Sequence, residues 1–388
     1  MTKVHPPQQQ AIRPTPFHGA AAACSLTNAW RRWGDYTIAD VYTTVDQEYD
    51  ALRQHAGLMD LSPLRKIHVS GADAQSFLNR LLTRNVAALA LRRSCNSVFC
   101  DDAGHVIGLA HLLRLNVDKY EILTEENHAT WFWNSSAGYE NLHLEVVTHE
   151  QGIVGLFGKR ATDILAFAGI SGAGDLDISA HDSFMVQRVK LRVMKTTSLG
   201  ETGYFLSVDP KDALFIWELL MRAGQSHGAA PVGWRAQDIC RIESGMLRAG
   251  TDFIGANDAC HGNRPRTPYE LGLADSVDLE KDHFVGLRAL TMGVERPGRT
   301  CQVGLRVEGV EPITGGRILR QDQLIGVVTS SAWSPRLGYV VALATVTGGH
   351  EAPGQDVEVE YSTLVELEPQ IWSLKAQIIE KPFYNNTL

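Results

Sequence analysis

The chain has 388 residues, of which 44% are hydrophobic, and it carries a formal net charge of −8 at pH 7. This length and composition suit two or three globular domains with well-formed cores. The sequence contains no long basic run and no apolar run near the roughly 18 residues that span a bilayer, so we expect neither nucleic acid nor a membrane as partner. The polar, Pro- and Gln-rich start lacks the apolar core of a signal peptide, which predicts a cytoplasmic protein.

The spacing of metal-ligating residue types argues against a metal site. Six cysteines occur without a C-x-x-C pair, and fourteen histidines occur without an H-x-x-x-H or H-E-x-x-H arrangement. We therefore expect reduced cysteines, no zinc and no metal-assisted mechanism.

Residues 1–44 are predicted to form an N-terminal arm. Four prolines keep its first part extended, and four aromatic residues indicate that its second part packs against the rest of the protein, namely Trp30, Trp33, Tyr36 and Tyr42. The arm either docks as a simple tail or closes over a pocket. For the second interpretation His18 is the titratable residue that the arm would contribute.

Residues 45–290 combine helices and strands in mixed order, which favours α+β lobes over a regular βαβ alternation. Apolar spacing predicts helices near 48–55, 74–82, 160–168 and 213–223. Alternation predicts strands at 66–70, 118–125, 152–157 and 184–194, with an antiparallel pair around the turn 101–104.

The stretch from Gly233 to Leu273 contains charged residues within an apolar pattern. Ile239, Ile242, Met246 and Leu247 would share one face of a single helix. Asp238, Arg241 and Glu243 lie among them, and a buried charge must be paired or must face a cavity.

After residue 290 the pattern changes to short strands separated by Gly, Pro and Asp turns, as in a barrel or sandwich. A linker is predicted at 291–299. The predicted division is thus an arm at 1–44, lobes at 45–290 and a C-terminal domain at 291–388.

Several motifs, in order along the chain, resemble one known family. RIESG at 241–245 and TPYELGL at 267–273 are similar to the RLEAG and TPLEAGL signatures of the aminomethyltransferase family, which includes the glycine cleavage T-protein and folate-dependent demethylases. Further matches are AGLMDLSPLRKIHVSGADAQSFLNRLLTRNV at 56–86, TSLGETGYFLSVD at 197–209 and GVVTSSAWSPRLGYVVALATV at 326–346. The resemblance implies two interleaved ferredoxin-like lobes and a C-terminal β-barrel around a central cavity. It also implies transfer of a one-carbon unit to tetrahydrofolate.

The chain departs from the family at two acidic positions. Relatives carry aspartate after the first hairpin turn, in a pattern like G-G-I-I-D-D-L, where this chain has Gly108 and Leu109. Relatives also carry a pterin-binding glutamate at the end of G-E-D-G-F-E, where this chain has Phe205. A methyl group on a good leaving group needs less charge stabilisation than an aminomethyl adduct, so these losses favour demethylation.

The remaining candidate site residues are few. For the cofactor, the resemblance leaves Glu201, Arg241, Glu243 and Trp333, with Leu109 and Phe205 at the altered positions. Arg241 would anchor a carboxylate, or it would form an internal ion pair with Glu243 or Glu270. For proton transfer the candidates are His111, which shares a strand face with Leu109, together with His18 and Tyr204.

Three functions remain open at this point. The first is a tetrahydrofolate-dependent demethylase of a small methylated compound, acting as a monomer or homodimer. The second is aminomethyl transfer of the glycine-cleavage type. The third is a descendant that has lost folate binding and uses the same cavity for another ligand or reaction.

Overall fold

The computed structural model describes residues 12–259, 265–293, 299–365 and 368–386. None of the helices within these ranges has the length and apolarity needed to cross a bilayer.

The arm folds into a small layer of its own. A three-stranded sheet has the order β1-β3-β2, and one helix precedes β2; the elements are β1 (Arg13–Pro14), α1 (His18–Cys24), β2 (Ala29–Trp33) and β3 (Tyr36–Val41). Phe17, Tyr36 and Tyr42 are at most 3% exposed. The predicted packing of the second part of the arm is thus confirmed for the two tyrosines.

A six-stranded sheet forms the first lobe, in the order β11-β12-β13-β10-β4-β14. Its strands are β4 (Ala56–Asp60), β10 (Gly152–Phe157), β11 (His181–Val186), β12 (Val189–Thr196), β13 (Gly203–Val208) and β14 (Ala229–Pro231). Its helices are α2 (Val45–Gln54), α5 (Ala161–Phe167), α6 (Ala213–Gly224) and α7 (Trp234–Glu243).

A five-stranded sheet in the order β6-β7-β8-β5-β9 forms the second lobe. Its strands are β5 (Arg65–Ser70), β6 (Ser94–Cys100), β7 (Val106–Arg114), β8 (Lys119–Thr124) and β9 (His143–Val146), with α3 (Ala74–Leu81) and α4 (Ala129–Ser135). Because β5–β9 lie in the chain between β4 and β10, the two lobes interleave, as predicted.

Two predicted elements differ from the structure. The run 184–194 is a hairpin of two strands, because the chain turns at Gln187, which has a positive φ of 53°. The helix predicted to reach Leu247 ends at Glu243, because Gly245 has a left-handed φ of 71° and its N–H bonds to the carbonyl of Ile242. Met246 is consequently 38% exposed and does not share the buried helix face.

The C-terminal domain is a closed barrel in the order β15-β18-β17-β16-β19-β20. Its strands are β15 (Thr300–Val307), β16 (Arg317–Arg320), β17 (Gln323–Ser334), β18 (Tyr339–Thr347), β19 (Asp356–Val365) and β20 (Glu368–Ile379), and α8 (Leu287–Met292) precedes it. Most of the predicted linker at 291–299 lies outside the described residues. The division at residues 44 and 290 stays a prediction.

Candidate active site

The described residues form two clefts of note. The larger of the two lies where the arm, the first lobe and the barrel meet, and it has a volume of about 470 Å³. A cleft of this size suits a small ligand. Its walls come from β2, from the start of α2, from α7 and the loop after it, and from the end of β17. The lining residues are Arg31, Val45, Asp46, Trp234, Arg235, Asp238, Ile239, Arg248, Thr251, Pro312, Ser331, Ala332, Trp333 and Pro335.

Trp234, the first residue of α7, is held in place by cations and by another indole. The Arg248 guanidinium lies 4.0 Å from its ring centroid and that of Arg31 lies 5.4 Å away. The Trp33 ring meets it edge-on at 4.9 Å. The arm therefore helps to build this wall of the cleft.

Asp238 joins two arginines at the floor of the cleft. Its Oδ1 accepts from Arg241 Nε at 2.7 Å and also from Arg248 Nη1. Burial alone would raise the pKa of Asp238, but the two guanidinium groups hold this pKa below its usual range. Its carboxylate side chain is still 32% exposed, and Oδ2 makes no hydrogen bond with a described residue.

Arg241 is an internal ion-pairing residue, 3% exposed. Its Nη1 donates to Asp252 Oδ2 and to the carbonyl of Met246, each at 2.7 Å, and its Nη2 donates to Ser330 at 3.0 Å. The partners are thus Asp238 and Asp252, where the sequence suggested Glu243 or Glu270. Asp238 precedes Arg241 by three residues, and this helical spacing could have indicated the pair from the sequence.

Glu243, at the end of α7, centres a second buried network. It is 0% exposed and accepts from Arg53 Nε at 3.0 Å and from Tyr49 Oη at 2.7 Å. Ser334, at the end of β17, also donates to it. Glu243 therefore connects α2, α7 and the barrel, and both of its oxygens are occupied.

Glu201 lies next to this network in the turn before β13. It is 2% exposed, accepts from Tyr384 Oη and from Asn386 Nδ2 at 3.0 Å, and lies 4.0 Å from Arg53. A ligand that used Glu201 or Glu243 would have to displace these partners.

The face of β7 that carries Leu109 and His111 contacts the first lobe. His111 Nδ1 lies 2.6 Å from Asn96 Oδ1, and His111 Nε2 lies 3.1 Å from the sulfur of Met194. Met194 is the cross-strand partner of Phe205. The structure thus brings His111 and Phe205 to the same inter-lobe surface, with Leu109 on the same side of β7.

Gly108 has no room for an acidic side chain. A Cβ at this position would lie 2.6 Å from His128 Nε2 and 2.6 Å from the Phe99 ring. A carboxylate side chain at 108 would therefore require His128 and Phe99 to move, and Leu109 occupies the other position.

Comparisons with known proteins address the family. The profile of the GCVT N-terminal domain matches residues 16–281, and that of the glycine cleavage T-protein C-terminal barrel domain matches residues 301–385. The chain belongs to the glycine cleavage T-protein family. This is a family of one-carbon-transferring enzymes, so the resemblance and the expectation of an enzyme are confirmed.

Relatives of the T-protein family match most of the chain. An aminomethyltransferase of Saccharopolyspora erythraea is 29% identical over 380 residues, which cover 96% of this chain and 98% of the relative. One of Streptomyces coelicolor is 30% identical over 325 residues, covering 81% and 84%. The crystal structure of the glycine cleavage system aminomethyltransferase T from Bartonella henselae superposes with a TM-score of 0.83 at 22% identity, covering 96% and 98%. This superposition confirms the predicted fold.

The other predicted T-protein site residues lie in different places. Trp333 lines the cleft. Tyr204 is fully buried on the other face of its sheet and shares a hydrogen bond of 2.7 Å with Thr162. His18 stacks on Trp30 with centroids 4.7 Å apart and does not line the cleft. The cofactor-binding role of Trp333 and the catalytic roles of Tyr204 and His18 stay predictions.

Sequence reasoning missed several residues that build this T-protein site. Arg53, Trp234, Arg248 and Tyr384 position the cleft or the networks behind it. Arg53 lies four residues after Tyr49 and next to Leu52, on the buried side of the amphipathic helix α2, and this spacing was a usable signal for it. Trp234 and Arg248 contact each other across a loop that has no regular spacing, and the partner of Tyr384 lies 183 residues away, so none of the three has a local pattern.

Proposed function

We propose that this protein transfers a methyl group from a small methylated substrate to tetrahydrofolate. The proposal rests on one observation, namely that the β7 face at the junction of the lobes carries Leu109 and His111 and no carboxylate. A strand face without a carboxylate suits a methyl transfer, which needs alignment of the reacting atoms more than a fixed negative charge.

The cleft offers groups that fit a folate. A pterin is flat and presents amino and ring N–H donors, which need a stacking surface and carboxylate acceptors. Trp333 supplies an indole, while Asp46 and Asp238 Oδ2 supply acceptors without other hydrogen-bond partners among the described residues. Arg31 and Arg235 border the same cleft and suit the carboxylates of a glutamyl tail.

In this proposal the folate supplies the nitrogen that takes the methyl group. As the bond between the methyl carbon and the folate nitrogen forms, the bond between the methyl carbon and the donor's heteroatom breaks. The heteroatom retains the electron pair and takes up the proton that the folate nitrogen releases. His111 is neutral at pH 7, because burial lowers its pKa to about 4. It is therefore available as a hydrogen-bond acceptor rather than as a strong base, and Leu109 and Phe205 place apolar side chains on the same surface.

Aminomethyl transfer is the second candidate, because the relatives that match nearly the whole chain carry the name aminomethyltransferase. The two reactions give different products from the same acceptor. Methyl transfer gives a methylated folate, whereas aminomethyl transfer from a lipoyl carrier gives a methylene-bridged folate and ammonia.

A paired assay tests the proposal. The full chain is incubated with tetrahydrofolate and either a panel of isotopically labelled O-, N- and S-methyl compounds or an aminomethyl-loaded lipoyl protein. We expect labelled methylfolate from one member of the panel and no ammonia from the carrier. Ammonia and methylene-folate as the sole products would overturn the proposal, and absence of folate binding in calorimetry would support the third function.

Two variants sharpen this assay. Leu109→Asp restores a carboxylate on the β7 face, and Leu109→Asn is its isosteric, uncharged control. We expect the aspartate variant alone to lose methyl transfer, by about tenfold or more, since a desolvated charge is costly in the junction. Equal activity of both variants and the parent would contradict the assigned role of this face.

A further inference from the structure

A second cleft lies on the outer wall of the barrel and has a volume of about 330 Å³. Its walls are the outward side of β15, the turn Tyr269–Gly272 and the chain just after β20. It shares no lining residue with the larger cleft. Nothing in the proposed reaction uses it.

Three segments that line this cleft each contribute a polar group that makes no hydrogen bond with another described residue. Gln302 is 9% exposed, and while its Oε1 accepts from Thr345 at 3.2 Å, its buried Nε2 donates to no described residue. The Tyr269 hydroxyl is also buried and makes no hydrogen bond within the part of the chain that the structure describes. Such groups are costly unless a ligand or water satisfies them.

Lys381 contributes the third unpartnered group. Its side chain packs against two glycines. Lys381 Cβ lies 3.2 Å from where a Cβ at Gly245 would stand, and Lys381 Nζ lies 3.9 Å from where a Cβ at Gly272 would stand. The amine makes no hydrogen bond or ion pair with a described residue. Burial lowers the pKa of Lys381 to about 8, so the amine is mostly an ammonium ion at pH 7.

The acidic residues nearby do not neutralise this ammonium. Glu351 is paired with Arg299 at 3.3 Å, and Glu380 is exposed at the rim. Asp252 influences Lys381 electrostatically, but its oxygens are already bound by Arg241, Thr329 and Ser330. The cleft thus presents a cation and an amide N–H that both lack an acceptor among residues 12–259, 265–293, 299–365 and 368–386.

We propose that this second cleft binds a small organic carboxylate, whose oxygens accept hydrogen bonds from Lys381 Nζ and Gln302 Nε2. An ammonium and a neutral amide donor together match the two oxygens of one carboxylate. The volume lies at the lower end of the range for ligand sites, which limits the ligand to a short-chain acid. The site is independent of folate and of the proposed reaction.

Ligand-observed NMR on the full chain tests this site, with lactate and succinate as carboxylate probes and lactamide as the uncharged analogue. We expect saturable binding of at least one acid and none of lactamide. The proposal fails if neither acid binds, or if lactamide binds as well as lactate.

Matched variants locate the binding. Lys381→Met keeps the aliphatic stem and removes the charge, and Lys375→Met changes an exposed lysine on β20 as the control. Gln302→Leu removes the second donor without touching the lysine. We expect binding to weaken about tenfold or more in Lys381→Met and Gln302→Leu and to be unchanged in Lys375→Met. Parent-like binding by folded Lys381→Met and Gln302→Leu would overturn the assignment, and their melting curves establish that they are folded.

Discussion

Arg241 shows how a buried charge determines the local structure around the candidate site. Its guanidinium has acceptors on α7, on the following loop and on β17, which are Asp238, Asp252 and Ser330. A guanidinium with this many short contacts has little capacity left to bind a ligand carboxylate. The structure therefore assigns it to supporting the cleft floor.

Removal of Arg241 is expected to destabilise the protein severely. In Arg241→Ala the buried Asp252, with its side chain 0% exposed, would lose its cation. The expected loss is about 3–5 kcal/mol of unfolding free energy, measured by chemical denaturation. Arg235→Ala is the control, because its guanidinium is 61% exposed and its ion pair with Asp40 should contribute less than about 1 kcal/mol. Equal losses in the two variants would contradict this account.

Two neighbouring histidines predict how stability depends on pH. Burial lowers the pKa of both His111 and His181 to about 4. Between the ordinary value of 6.5 and about 4, the unfolded chain binds protons that the folded chain does not. Stability is therefore complete above pH 6.5 and is lost as the pH falls towards 4, by about 2–3 kcal/mol per histidine at most.

Melting temperatures measured from pH 8 to pH 4.5 test this dependence. His111→Gln removes one titrating group and retains an amide beside Asn96, so its curve should be flatter than that of the parent. His143→Gln, at an exposed position of β9, should leave the curve unchanged. A curve for His111→Gln that parallels the parent would show that His111 titrates normally.

At the scale of elements, the C-terminal segment after β20 fastens the first lobe to the barrel. Tyr384 Oη donates to Glu201, which lies 183 residues earlier, and its backbone N–H donates to the carbonyl of Glu243 at 2.9 Å. The Arg53 guanidinium lies 4.2 Å from the centroid of the Tyr384 ring. The segment thus covers the buried Arg53 network.

Tyr384→Phe should loosen this attachment. The variant keeps the ring over Arg53 but leaves a buried oxygen of Glu201 without its donor, which costs about 1–3 kcal/mol. Thermal denaturation measures the loss, and amide exchange should increase in the turn before β13. Tyr361→Phe on β19 is the matched control and should cost little, because no hydrogen bond is made by its hydroxyl to any described residue. An unchanged melting temperature for Tyr384→Phe would rule out this role.

The sequence predicted most elements because their signals are local. Alternation located β5, β8 and β10, and apolar spacing located α3 and α6. The end of α7 was misplaced because Met246 and Leu247 continue the apolar spacing, while Gly245 interrupts the backbone. The pairing of Glu201 with Tyr384 could not be predicted, since it depends on how distant segments meet in three dimensions.

At the scale of the whole molecule, the larger cleft exists only because three units meet. Arg31 comes from the arm, Trp234 from α7 and Trp333 from the end of β17. The arm packs into the core of the first lobe, whereas the barrel has a separate core, so contacts between the lobe and the barrel decide the width of the cleft. The Glu243 and Arg241 networks both reach β17, and they hold the barrel against α7.

Trp333 is the barrel residue that is expected to contact the bound folate. Trp333→Ala removes the indole from one wall of the cleft, whereas Trp372→Ala removes an indole from the outer part of β20 that is 47% exposed. A lost aromatic contact of about 1–1.5 kcal/mol corresponds to roughly tenfold weaker binding. Calorimetric titration with tetrahydrofolate should therefore show this weakening for Trp333→Ala and parent-like binding for Trp372→Ala. Because Trp333 packs only partly against the barrel core, its variant should melt near the parent. If folded Trp333→Ala binds folate as the parent does, the ligand lies elsewhere between the lobes, and the β7 face around Leu109 becomes the next position to test.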